Sequence, residues 1–121
     1  MPYFSGMDQH FLLRQSGDIK ILQVNNLLGE YQNREILLLA QNHIDQGFTK
    51  FVVDLDNMPY TNSVGLNFLI SLQARCQDKG GAITLVNVSK KILQLLEVTK
   101  LQPLFQLTDS VEAALQLMNA D

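Results

Sequence analysis

The chain has 121 residues, 46% hydrophobic and 17% charged, the balance of an ordinary globular domain rather than of a disordered segment. The net charge is −3 and the one basic pair is Lys90-Lys91, so the clustered cations that phosphate backbones require are missing and nucleic acid is not an expected partner. A lone cysteine, Cys76, excludes an internal disulfide and a cysteine-based metal site; at helical spacing in an apolar stretch it reads as a small buried residue.

The opening MPYFSGMDQH lacks the charged-then-apolar run of a signal peptide. No apolar run approaches the ~20 residues of a membrane span, and a cytoplasmic location is expected. One domain is expected over residues 1–121, with residues 1–8 as a flexible lead-in. His10 to Gln15 reads as a first strand and Ser16-Gly17-Asp18 as a hairpin turn. Ile19 to Val24 reads as a second strand, and Asn25 to Glu30 (NNLLGE) as a loop. From Asn33 to Gln46 the residues Ile36, Leu37, Leu39, Ala40 and Ile44 recur at helical spacing, with Gly47 as terminator and His43 on the polar side.

Phe51 to Leu55 (FVVDL) is short, apolar and β-branched, as a buried central strand is. The loop DNMPYT follows over Asp56 to Thr61, and then Asn62 or Ser63 caps a helix whose inner face is Leu66, Phe68, Leu69, Leu72 and Cys76. Lys79-Gly80-Gly81 ends that helix, and Ala82 to Val86 (AITLV) is another buried strand. Ser89 caps a short helix with Ile92, Leu93, Leu95 and Leu96. Leu104 to Leu107 is a short last strand, and Asp109 or Ser110 opens a closing helix with Val111, Ala114, Leu115 and Met118 on one face. The order ββαβαβαβα predicts one mixed sheet with helices packed on it and right-handed crossovers, α/β or α+β in class.

Catalytic chemistry has little to stand on. HExxH, EF-hand and P-loop patterns are absent. Thr61-Asn62-Ser63-Val64-Gly65 resembles a nucleophile elbow only in part, because its first glycine is missing and both histidines, His10 and His43, precede the serine. Asp54 and Asp56, two apart, share a face if the strand runs on, but acids at a strand end are ordinarily solvated. No enzyme activity, metal or cofactor is expected. The informative stretch is Val53 to Leu66, VDLDNMPYTNSVGL, in which a buried strand leads through a loop to a serine at a helix start. A hydroxyl there is a good cap; it is also where a phosphate is tolerated, since a helix N-terminus favours negative charge.

At this stretch the chain resembles the STAS domain family, named for sulfate transporters and anti-sigma factor antagonists. The family pattern is a buried strand ending in Asp-Leu, a loop, then Asp-Ser-Ser/Thr-Gly-Leu opening a helix. Asp54-Leu55 stands at the strand end and Asn62-Ser63-Val64-Gly65-Leu66 at the motif. Leu28-Gly29-Glu30, Gly80-Gly81 with AITLVN, and the stretch from Val88 to Leu115 are similar to later family landmarks, so the likeness runs from Gln9 onward. It implies an α/β fold with a small mixed sheet flanked by helices. The role it implies is partner switching. The protein binds an anti-sigma factor that is also a serine kinase, that kinase phosphorylates Ser63 and breaks the complex, and a phosphatase resets it. Partner contacts would come from Glu30, Asp56, Met58, Tyr60, Asn62, Val64 and Gly65, with Pro59 adding area. Two positions depart from the pattern: Asn62 replaces the acid, and Val64 replaces the second hydroxyl and leaves Ser63 the one serine in the motif. The other role open to the same fold is a binding module without the switch, such as an accessory subunit of a transporter ATPase.

Overall fold

The computed structural model describes residues 11–25 and 29–119. Five strands form one sheet in the order β1-β2-β3-β4-β5: β1 (Phe11–Ser16), β2 (Ile19–Val24), β3 (Lys50–Asp54), β4 (Ala82–Val86) and β5 (Gln106–Thr108). β1 runs antiparallel to β2, and the remaining neighbours are parallel. Four helices alternate with them: α1 (Glu30–Asp45), α2 (Ser63–Gln77), α3 (Lys90–Val98) and α4 (Val111–Asn119). The predicted order and the mixed α/β sheet are those observed. His10, residues 1–8 and Leu28 of the Leu28-Gly29-Glu30 stretch lie outside the described residues.

The hairpin turns on two residues, with Ser16 opposite Ile19 and Gly17 at φ +60°. A positive φ at the first turn position alone fits a II′ turn, whose twist matches that of the flanking strands. From β2 onward each strand lies beside the one before it and each crossover steps the same way. Right-handed crossovers then place every intervening helix on the same face. That face is the larger core. Leu22, Val24, Phe51, Val53, Ile83 and Leu85 point into it from the sheet, and Ile36, Ala40, Ile44, Leu69, Leu72, Ile92 and Leu96 meet them from α1, α2 and α3. The alternate residues Ile19, Ile21, Val52 and Val86 face the other way and are covered by Ala114 and Met118 of α4. Two buried faces are why β3 and β4 read as unbroken apolar runs. Each fully buried aliphatic side chain contributes about 1.5–3 kcal/mol.

Two element starts and the setting of one side chain differ from the sequence reading for physical reasons. α1 begins at Glu30, a turn before the apolar periodicity starts, because extended Gly29 offers its carbonyl to the Asn33 N–H at 3.2 Å and the first turn, EYQN, is mostly polar. β5 begins at Gln106, because Pro103, with fixed φ and no N–H, sits in a 3-10 turn over Gln102–Leu104. His43 is not simply on a polar face: its ring is half-buried edge-on to Phe48 at 6.1 Å, and Nδ1 is buried without a partner among the described residues. Burial, and secondarily the Lys20 ammonium, push its pKa below the usual 6.5.

Close backbone approach fixes the α2–β4 turn. A Cβ at Gly81 would collide with the Thr49 carbonyl, which itself accepts from Ala82 N–H at 3.1 Å. Gly81→Ala is therefore expected to destabilise the fold by about 2 kcal/mol, read as a lower urea midpoint with an unchanged m-value. A second expectation concerns His43. Its imidazole should titrate below 6.5 by NMR. The unfolded chain then takes up the proton first, so this residue's contribution to stability is present above pH 6.5 and is lost as pH falls below it.

Candidate protein-docking site

Because β2 to β5 are parallel, their C-terminal ends lie on one edge of the sheet, and the loops leading into α1, α2, α3 and α4 gather there. The loop between β3 and α2 is the central one and is tied on both sides. Asp54 closes β3, and its Oδ1 accepts from Asp56 N–H and from Asn87 Nδ2, both at 3.0 Å. Asn87 reaches it from φ +57°, a left-handed conformation that asparagine tolerates. Further along, the Pro59 carbonyl accepts from Ser89 Oγ at 2.7 Å, and that same oxygen caps α3 by accepting from Ile92 N–H at 3.2 Å. On the opposite side Asn57 Nδ2 donates to Asn25 Oδ1 at 3.1 Å. Asn33 Nδ2 crosses from α1 to the Val64 carbonyl at 3.0 Å.

This scaffold presents the start of α2. Asn62 adopts an extended cap conformation, φ −130° and ψ −170°, and its Oδ1 accepts from Gly65 N–H at 3.1 Å. The sequence left the cap open between Asn62 and Ser63; the structure assigns it to Asn62. Ser63 is the first helical residue, is exposed, and has no hydrogen-bond partner for its hydroxyl among the described residues. It stands at the positive end of the helix dipole, where the first N–H groups lack intrahelical partners.

The expected contact residues divide. Tyr60 is 57% exposed, and Asp56 is exposed one residue beyond Leu55. Asn62 and Val64 are half-buried around Ser63. Glu30 is exposed at the start of α1 and, with Asn33, Arg34, Leu37, Val64 and Phe68, lines a groove of about 210 Å³ between α1 and α2. Gly65 is buried inside the first turn of α2, where it serves the cap and not the surface. Met58 must be corrected. It is 3% exposed and belongs to the core, because its N–H closes a turn onto the Leu55 carbonyl at 3.0 Å and folds the side chain inward. Met58 has no surface to offer a partner, whereas Pro59 and Tyr60 are both exposed.

The two aspartates do not form a pair. The strand stops at Asp54, whose carboxylate is buried and committed to two donors, while Asp56 lies on the surface. No His, Cys, Asp and Glu cluster able to hold a metal occurs among the described residues. Cys76 is fully buried, and burial pushes its thiol up to about 12. Asn33 escaped the sequence reading. It stands three residues before Ile36 and seven before Ala40, on the buried stripe of α1, and a polar residue on such a stripe signals a dedicated partner. Its Oδ1 is buried and unpartnered among the described residues.

The cap is open to direct test. Asn62→Ala should cost about 1 kcal/mol, while Asn62→Asp should retain the bond and the stability, both read from urea denaturation.

No helix among the described residues is long and apolar enough to cross a membrane. Solved structures share the fold, among them the following three. The Thermotoga maritima protein TM1081 superposes with a TM-score of 0.84 at 17% identity, over 100% of this chain and 98% of its own. The anti-sigma factor antagonist SpoIIAA of Bacillus, in its unphosphorylated form, superposes at 0.79 with 16% identity over 92% and 97%. Phosphorylated SpoIIAA superposes at 0.71 with 16% identity over 88% and 98%. The sequence pattern defining the STAS domain matches residues 10–114, and the chain therefore belongs to the STAS domain family.

Proposed function

We propose that this protein is an anti-sigma factor antagonist, which docks through the start of α2 on an anti-sigma factor that is also a serine kinase. The kinase ends the complex by phosphorylating Ser63, and a phosphatase restores the docking form. One observation carries the reading: the Ser63 hydroxyl is exposed and unspent, because Asn62 does the capping. Were Ser63 the cap, its oxygen would already be engaged with a backbone N–H of α2 and less available to a kinase. As built, the hydroxyl can be modified with the helix left whole, and the helix end itself accommodates the added charge.

A phosphoserine carries about −1.5 to −2 charges. Inside a docked surface that charge must be desolvated, and the exposed acids Glu30 and Asp56 on neighbouring loops of the same edge add to the local negative potential. A hundredfold loss of affinity needs only about 2.7 kcal/mol, which one misplaced interfacial charge can supply. SpoIIAA, alike in fold, occurs in a phosphorylated and an unphosphorylated form, which supports the same cycle here.

The geometry favours a substrate over a catalyst. Among the described residues the one histidine, His43, lies in the last turn of α1, whereas Ser63 neighbours its first turn. From Asn33, which touches Val64, to His43 is ten residues, about 15 Å at 1.5 Å per residue, so among the described residues no imidazole stands beside Ser63 as a base.

Incubation with the serine kinase of its own cell and ATP, followed by mass spectrometry, should place one phosphate on Ser63. Ser63→Asp should weaken kinase binding about a hundredfold, and Ser63→Ala should bind as wild type does. An intact wild-type complex that leaves Ser63 unmodified rejects the switch.

A further inference from the structure

The helix α3 turns a second stripe away from the core. Ile92 and Leu96 are buried, whereas Lys91, Gln94, Leu95 and Val98 recur at i, i+3, i+4 and i+7 and so share one adjoining face. Together with Tyr60 and Thr61 they line a groove of about 440 Å³. Its apolar surfaces are unusually open: Val98 is 79% exposed and Tyr60 57%. Thr61 is 1% exposed, and its Oγ1 is buried with no hydrogen-bond partner among the described residues. Of the residues that line the groove, Lys91 is the one that carries a charge, and it is exposed.

We propose that this groove seats an acidic, apolar-anchored segment of the docking partner. A leucine or aromatic side chain enters between Tyr60, Leu95 and Val98. A flanking carboxylate pairs with Lys91. The assignment rests on the docking reading above, which it extends: the partner's footprint runs from Ser63 through Tyr60 and Thr61 to α3. The sign of the lining charge selects the occupant, since a basic segment would meet the Lys91 ammonium and a purely apolar one would leave it unused.

Panning a random-peptide phage library against the wild-type protein provides a probe independent of the kinase. Selected peptides should carry Asp or Glu beside Leu, Phe or Trp, bind less tightly as salt rises, and perturb the NMR amide signals of Tyr60, Thr61, Leu95 and Val98. Val98→Glu should weaken them about tenfold or more, and Lys91→Glu should do the same while favouring a Lys-for-Glu version of the same peptide. Both positions are exposed, and equal melting temperatures would show that the fold is kept. Enrichment of basic or uncharged peptides overturns the proposal. So does binding that Val98→Glu leaves unchanged, or wild-type self-association that Val98→Glu abolishes. A kinase that binds Val98→Glu as it binds wild type but rejects Ser63→Asp would sink this inference and leave the Ser63 reading standing; indifference to both would sink the Ser63 reading itself.

Discussion

The hydrogen bond from Gly65 N–H to Asn62 Oδ1 decides what the start of α2 can do. A helix needs its first donors satisfied, and either Asn62 or Ser63 could have done it. With the amide in that role, the helix is stabilised by a group that kinases do not modify, and the neighbouring hydroxyl is left free at the surface. Structural duty and chemical availability fall on adjacent residues. An asparagine also leaves position 62 uncharged, so that charge added to the serine is not opposed by a carboxylate one residue away.

The cap would be of little use on a mobile loop. Side-chain bonds fasten the β3–α2 connection to the two connections beside it, Asp54 with Asn87 and Ser89 with Pro59 on the β4 side and Asn57 with Asn25 on the β2 side, while Asn33 with Val64 ties α1 to the start of α2. Below it, Leu55 and Met58 are packed into the core. On the proposed reading these ties lower the entropic cost of docking, because the surface need not be ordered when a partner arrives. They also give a local charge change somewhere to act, since a rigid surface cannot swing the charge aside.

Much of this was legible in the residues. Ser16-Gly17-Asp18 announced a hairpin, AITLV a buried strand with its observed bounds, and the α2 stripe from Leu66 to Cys76 is buried at every named position. Periodicity reports burial well, and so it failed where burial and secondary structure part company. The polar first turn of α1 is helical without being amphipathic, and Pro103 delayed β5 with a turn that hydropathy does not register. Met58 was misread because a loop residue flanked by polar neighbours gives no sign that its backbone closes a turn and points it inward. Asn33 was missed because its partner, the Val64 carbonyl, is thirty-one residues away. The choice between Asn62 and Ser63 depends on one residue's φ and ψ, and side-chain chemistry favours both equally.

The account holds that the sheet edge carrying the β3–α2 loop is the face a partner covers. Cross-saturation NMR on the labelled protein in complex with its kinase reads that footprint residue by residue. Attenuation should centre on residues 59–64 and reach Glu30. A footprint confined to α4, around Glu112 and Leu115, or to the far edge at Gly47 and Gly80, would contradict the account at its root.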